Sequence, residues 1–499
     1  MKPSRRLTIV AVVCTLCACN LAPKYQTPKA TLGVLPVSYK EGGVWQPATP
    51  SDQLPRGPWW RMYHDPQLDK LETQLLAQNP TVEAAFANYN SYKDRALQLN
   101  AFLFPFVTAN GMMTPDSTSV GPPIGAPYQM TYFGNNAAFA EIHYEVDLWD
   151  QIHNSIAAGV YRAQAAAADL ASVQLSMEAN LASAYLTLRE LDDDVQLLAD
   201  TVLVYQQYLL VVQERHAGKI ASGLELAQAR YQVEYAKAQE SGLRAQRAVY
   251  EHMIAALIGE PASDFSLKPK VMEITVPIIP TSVPSALLQR RPDIAAAERR
   301  VAAANAEIGV ARASFFPNIS LNNVVGSFGS LGGPAIAGPF SFWSLGPSVA
   351  APIFEGGLLH AQLAQSVARW HQAVQNYRAV ALRAFREVED GLSNINFMSE
   401  QYHEQHAAVK DAVDAQSMAF TLYQLGAKDY LEPLVDQAAA LQAEETEINI
   451  KESLLQASVN LIRALGGGWT TDELPRRNKV LILTTTTPVL SHQGTPPPS

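Results

Sequence analysis

The chain has 499 residues, 17% charged and 48% apolar, so it can bury a large core and does not have the composition of a disordered polymer. Its formal charge is -10 with no basic run, which argues against nucleic acid as a partner because phosphate binding needs clustered Lys and Arg. All three cysteines, Cys14, Cys17 and Cys19, lie at the N-terminus, which excludes a disulfide framework, a Cys-based zinc site and thiol catalysis from the rest of the chain.

Basic Lys2, Arg5 and Arg6 followed by apolar Leu7 to Leu16 read as an export signal over residues 1–18. The apolar part is shorter than the roughly twenty residues a bilayer span needs. Leu16-Cys17-Ala18-Cys19 resembles the bacterial lipobox, which implies that Cys19 is acylated and becomes the first residue of the mature protein. Asn20 stands where lipoproteins kept at the inner membrane often carry Asp, which favours the outer membrane. No later segment offers 18 consecutive apolar residues, so no transmembrane helix is expected after the signal. A crossing would then need strands closed into a barrel.

Residues 19–66 read as an extended N-terminal segment, and 67–260 as a unit of helix, strand pair, long helix, turn and return helix. Phe106 to Met113 and Gln129 to Leu148 are its expected strands, flanking a loop rich in Pro, Gly and Ser. From Ile156 to Val212, apolar residues recur at steps of four and three, interrupted only at Gln174. This heptad seam predicts a packed helix of about 85 Å. Residues 261–284 form a Pro-rich linker, and 285–470 repeat the first unit at an offset of just over two hundred residues. Asn318 to Phe328 and Phe340 to Phe354 are the second strand pair, and a second seam runs from Leu363 to Tyr423, broken at Gly391, Gln405 and Gln416. Gly218 answers Gly426 just beyond the two seams, and residues 471–499 read as a flexible tail. Phe133, Phe139, Tyr144, Phe328, Phe340, Phe342 and Trp343 would suit a lipid-facing wall. Four strands cannot close around a channel, so several chains would have to share one barrel; composition alone favours a small β-subdomain capping a helical rod.

Leu287-Leu288-Gln289-Arg290-Arg291-Pro292-Asp293-Ile294, continuing through Ala303-Ala304-Asn305-Ala306-Glu307-Ile308-Gly309 to Ser314-Phe315-Phe316-Pro317, resembles the signature of outer-membrane efflux lipoproteins, the NodT-type, TolC-like outer-membrane factors. Cys19-Asn20-Leu21-Ala22-Pro23, Trp59-Trp60 with Asp65-Pro66, and Pro352-Ile353-Phe354-Glu355-Gly356-Gly357 support it over residues 19–470. The resemblance implies a mixed α+β membrane protein: a trimer whose twelve strands, four per chain, form one outer-membrane β-barrel continued by a long periplasmic α-helical coiled-coil barrel, with an internal two-fold repeat. It also implies a homotrimer held in outer-membrane lipid, working with a periplasmic adaptor (membrane fusion) protein and an inner-membrane pump. Arg290-Arg291-Pro292-Asp293 itself reads as structural, with Pro292 in a first helical turn and Asp293 at the positive end of the helix dipole.

A duct needs no chemistry, and the sequence carries no phosphate loop, no His-Glu-x-x-His and no Gly-x-Ser-x-Gly; neither an enzyme nor a cofactor is expected. Function is expected at the two helix turns, around His216 to Arg230 and Tyr423 to Asp436. By position, Glu225, Tyr423 and Lys428 resemble the family's polar residues whose links hold the closed state, and Glu432 and Asp436 its acidic ring at the constriction. Charged rings repeated by symmetry select and gate ions. Pro433 departs from the family pattern and moves Asp436 one place later. The competing reading is a periplasmic coiled-coil lipoprotein that scaffolds without a pore.

Overall fold

The computed structural model describes residues 20–33, 38–41, 57–120, 129–279, 284–330 and 340–482. Residues 1–18, Cys19 and residues beyond 482 lie outside these, whereas the first part of the tail expected flexible over 471–499 is packed down: Val480 is buried against Ile152, Ile156 and Ala163, and Gln164 donates to the Pro475 carbonyl at 2.9 Å. A short 3-10 turn over Trp59–Tyr63 precedes α1 (Pro66–Gln78) and α2 (Pro80–Ala101). Both helices open on a proline, whose missing N–H is no loss in a first turn, and both are capped by a side chain, Asp65 or Asn79, that accepts two backbone N–H groups. Then come β1 (Phe106–Val120), β2 (Gln129–Val146), α3 (Gln151–Ala217) and α4 (Gly223–Leu257). After α5 (Pro284–Arg290), the order recurs as α6 (Pro292–Ala313), β3 (Asn318–Ser330), β4 (Phe340–Ala350), α7 (Leu358–Gln424) and α8 (Leu431–Ala464), followed by the short α9 (Arg477–Val480). The long helices α3 and α7 have 67 residues each, about 100 Å of helix.

The first seam is buried at Ile156, Val160 and Ala163, again at Leu181, Ala184, Leu188 and Leu191, and at Leu198, Val202, Tyr205 and Val212. Between these, Ala168 meets Ala295 and Ala296 of α6, where small side chains let the two helices approach closely. The second seam is buried from Val374 to Ile395 and at Ala419 and Tyr423, while Tyr402, Gln405, Val409, Ala412 and Gln416 stay half-buried. One stretch of α3 is, against expectation, apolar enough by composition to cross a bilayer. Yet α3 is about three times longer than a hydrocarbon core is thick and packs against α2, α4, α6 and α8, so its apolarity serves helix packing.

The four strands form one antiparallel sheet in the order β1-β2-β3-β4, so β1 and β4 are its edges. The register sorts the side chains, because directly opposed residues share a face and successive ones alternate. One face carries Val107, Ala109, Ile142, Tyr144, Leu321, Val325, Trp343, Leu345 and Val349. Trp343 is 77% exposed there, and Val107, Leu345 and Val349 are exposed with it. The opposite face carries Thr108, Asn110, Glu141, His143, Ser320, Asn322 and Ser348. His143 meets Asn322 at 2.6 Å, and Ser320 meets Ser348 at 2.7 Å. The expected single aromatic wall is therefore divided. Tyr144 and Trp343 lie on the apolar face, while Phe139 and Phe342 lie on the other, either side of Gly326, whose missing side chain leaves room for Phe139. The side chains of Phe133, Phe328 and Phe340 lie outside the described residues.

Residues 20–33 and 38–41 form a strap along α6 and α7. Asn305 and Arg312 donate to the carbonyls of Pro23 and Leu21 at 2.7 and 3.1 Å. Farther along, Glu389 accepts from the N–H groups of Lys40 and Glu41 at 2.9 and 3.0 Å. Gly309 is required here, since a Cβ would sit 2.7 Å from that of Ala22. The segment between the halves is likewise stitched down: Met272 donates to Asp193 at 2.8 Å and accepts from Lys451 at 2.8 Å, and Leu267, Ile274 and Ile279 are buried.

The main core, where α1, α3, α7 and α8 meet around Trp59 and Tyr63, contains one costly group. Glu72 is fully buried and neither carboxylate oxygen has a hydrogen-bond partner. Burial, with Glu178 nearby, pushes its carboxyl well above the ordinary value. Burial also raises Glu178, to about 7, against the opposing hydrogen bond from the Trp59 indole. An acid raised on folding holds a proton that the unfolded chain releases. Stability is then full below the unfolded value of about 4.3 and falls as pH rises through the folded value. Glu72→Met is expected to stabilise the protein by about 1–3 kcal/mol at neutral pH. It should also flatten the decline in thermal midpoint on going from acid to neutral pH; an unchanged decline would place the linkage elsewhere.

Candidate functional site at the helix turns

Each long helix ends in a tight turn, and the two turns are built differently. After α7, Gly426 adopts φ +76 and Ala427 donates back to the Leu422 carbonyl at 3.0 Å. After α3 the left-handed residue is Lys219 at φ 58, one place beyond Gly218, and Ile220 donates back to the Arg215 carbonyl at 2.8 Å. Gly218 thus answers Gly426 in sequence but not in conformation. Ser222 then caps α4 through a reciprocal box: its hydroxyl accepts from the Glu225 N–H at 3.2 Å, and Glu225 accepts from the Ser222 N–H at 3.0 Å.

These caps bring the turns together. The Tyr423 hydroxyl donates to Glu225 at 3.1 Å. Arg215 donates to the carbonyls of Tyr423 at 2.5 Å and Gln424 at 3.3 Å, with its guanidinium 4.4 Å from the Tyr423 ring centroid. Those carbonyls belong to the last turn of α7, whose negative dipole end attracts a cation; the Tyr423 carbonyl also accepts from the Gly426 N–H at 2.9 Å. Tyr423 is only 1% exposed, packed edge-on to Tyr430 in a cluster with Val212, Ala229 and Phe420. Arg215 and Glu225, both from the first half, therefore grip the end of the long helix of the second.

The electrostatics follow the geometry. Burial, then the bond to Glu225, pushes the Tyr423 hydroxyl up to about 12, so it stays a donor throughout the physiological range. Partial burial raises Glu225, but hydrogen bonds from Ser222 and Tyr423 and the Arg215 charge outweigh it, and the carboxyl sits below its ordinary value. Lys428 pairs with Glu432 of its own turn at 2.7 Å, not with Glu225. Both partners are about half exposed, and such a pair contributes little. Asp436 is half-buried and makes no ion pair among the described residues. Pro433 falls in the first turn of α8, where a missing N–H is tolerated. Of the five residues predicted at the turns, the structure joins Glu225 to Tyr423 and Lys428 to Glu432, and leaves Asp436 apart. Arg215 is absent from that set because in sequence it is one more cation at a helix C-terminus.

Elsewhere, Asp147, Asp150 and His153 bring three metal-competent atoms within 4.8 Å of one another where β2 meets α3. Asp147 already accepts from the N–H groups of Ile152 and His153 and meets the His153 ring at 2.7 Å, which makes the group a helix cap.

Comparison with known proteins places this geometry in context. The family model described as "Outer membrane efflux protein" matches residues 71–260 and 283–467. The toluene efflux pump outer membrane protein TtgC of Pseudomonas putida is 30% identical over 472 residues, covering 93% of this chain and 95% of that protein. The pyoverdine export outer membrane protein OpmQ of Pseudomonas aeruginosa is 30% identical over 427 residues, covering 83% and 88%. Among solved structures, the outer-membrane channel OprN superposes with a TM-score of 0.81 at 25% identity, covering 90% of this chain and all of that one.

Proposed function

The chain belongs to the outer membrane efflux protein family, and from that premise we propose that three copies form a passive duct from periplasm to exterior, closed at the helix turns. It is an outer-membrane channel component and not an enzyme. In the proposed assembly the sheets of three chains close into one twelve-stranded barrel, and the helices of the two repeats line the periplasmic tunnel. Acyl chains on Cys19 anchor it, and several such chains hold firmly at about 0.8 kcal/mol per buried methylene. A periplasmic adaptor and an inner-membrane pump supply cargo and drive opening, as membership of the efflux family implies.

The observation that carries this reading is the sheet. One of its faces is apolar and exposed around Trp343, the other carries a hydrogen-bonded polar band around His143 and Asn322 between Phe106 and the pair Phe139 and Phe342, and both edge strands end unpaired in a single chain. Unpaired strand edges are not tolerated in lipid, and alternation of this sense fits a barrel with lipid outside and water within. Relatives named for toluene and pyoverdine suggest that such ducts pass small organic molecules of unlike chemistry, with selection left to the pump.

Single-channel recording in planar bilayers tests the proposal. The purified acylated protein is expected to migrate as a trimer and to give a small, discrete conductance. A protein that inserts yet never conducts would favour the scaffold reading.

A further inference from the structure

A cavity of ≈ 290 Å³ lies between α3, α7 and α8, a few helical turns from the Tyr423 link. Its walls are mixed: Tyr205 and Tyr208 supply aromatic surface, Leu441 aliphatic surface, and Asp200 and Glu444 two acids, while none of the residues lining it is basic. Gln437 also lines it, only 1% exposed, and neither the amide nitrogen nor the amide oxygen of that side chain has a hydrogen-bond partner. A buried amide left unpaired costs free energy that a polar guest can recover. Burial, with Glu447 close by, raises the Glu444 carboxyl, the sign of an acid short of a counter-charge.

We propose that this cavity binds a small organic cation with a flat apolar body, one chemical class that satisfies all three walls at once. The aromatic rings hold the body, the acids hold the charge, and the Gln437 amide bonds a polar substituent or the water that accompanies it. An anion of the same shape meets two carboxylates and no cation. The volume is at the small end for ligand pockets, which limits the guest to about two fused rings.

Such a guest would also act on the turns. Tyr208, in the cavity wall, stacks on Phe420 with ring centroids 3.5 Å apart, and Phe420 packs on Tyr423 at 6.3 Å. An occupant wedged between the two helix pairs holds them in the arrangement in which Tyr423 meets Glu225, and so favours closure; this second half rests on the duct reading, whereas binding does not.

The test is calorimetric titration of the full-length protein in detergent with N-methylquinolinium, and with 1-naphthoate as a control of like shape and opposite charge. Saturable binding of one N-methylquinolinium per chain is expected, weakened at least about tenfold by Glu444→Gln and by Gln437→Leu, with no binding of 1-naphthoate. Gln437→Leu removes an unpaired amide and should fold as well as the parent, so its effect reads binding. Equal affinity in all three proteins, equal binding of 1-naphthoate, or no saturable heat overturns the site. In bilayers, N-methylquinolinium should lower the open fraction of the wild type and not of Glu444→Gln. Binding without any effect on current overturns the coupling and keeps the site, while a protein that binds but never conducts sinks the duct reading alone.

Discussion

Arg215→Ala combined with Glu225→Ala is expected to raise the open fraction of the channel by a factor of about one hundred. The double variant removes the Tyr423 hydroxyl's acceptor and both bonds to the α7 carbonyls, three contacts of which each involves a charged group. Charge-assisted bonds of this kind contribute about 1.5–3 kcal/mol when buried, and about 1.4 kcal/mol is tenfold in an equilibrium. Partial exposure of Glu225 and the 3.3 Å length of the Gln424 bond put the three contacts below that range individually, at about 2.8 kcal/mol together, hence the hundredfold change. Lys428→Ala serves as the control, since its partner is the nearby Glu432 and its loss should leave the current almost unchanged. The link should also answer to pH. Glu225 is depressed on folding, so its contribution is full above the ordinary glutamate value of about 4.3 and is lost as pH falls through its lower folded value. Conductance should therefore rise in strong acid in the wild type and not in the double variant. If Lys428→Ala opened the channel more than the double variant, closure would have to lie in the Glu432 and Asp436 ring.

Arg291→Ala is expected to destabilise the protein by about 3 kcal/mol, the lower end for breaking a buried ion pair, because the acids it leaves can regain some water. Arg291 is buried and forked across Asp293 at 3.0 and 2.7 Å, paired with Glu387 at 2.6 Å, and bonded to the Ala464 carbonyl at 3.1 Å. It thereby ties the start of α6 to α7 and to the end of α8. The chain beyond α8 allows no adjustment: Gly466 has φ +94, and a Cβ there would lie 2.1 Å from the Arg290 carbonyl oxygen. The thermal midpoint should drop sharply, and channels that still assemble should conduct as the wild type does. Altered conductance in intact channels would give this motif a working role that its position does not.

The long helices were legible because heptad spacing is a property of the sequence itself, and both seams fell within helices of 67 residues. Strand pairs were legible as stretches, since Gly, Pro and Thr make poor helices, but β1 runs on to Val120 and β4 stops at Ala350. Which aromatic faces which side was not legible. Parity decides it, and parity depends on register, which only the pairing of Phe139 with Gly326 and Gly326 with Phe342 reveals. At the turns, Glu225 and Tyr423 were identified by position, whereas Arg215 was hidden because its partners are backbone carbonyls nearly two hundred and ten residues away. Lys219 was hidden as well, since sequence nominates a glycine for a left-handed turn and the chain placed that conformation one residue later.

The strap has a consequence for how the molecule is made. Its anchoring groups, Asn305, Arg312 and Glu389, follow their partners Pro23, Leu21 and Lys40 by 282, 291 and 349 residues. In a chain that crosses the inner membrane N-terminus first, nothing exists for the strap to bind until most of the polypeptide has emerged. Contacts of such sequence separation close late, after local helix pairs such as α3 with α4. The N-terminal end of a nascent chain is thus free while the body folds, and docking of the strap on α6 marks a chain whose second half is complete.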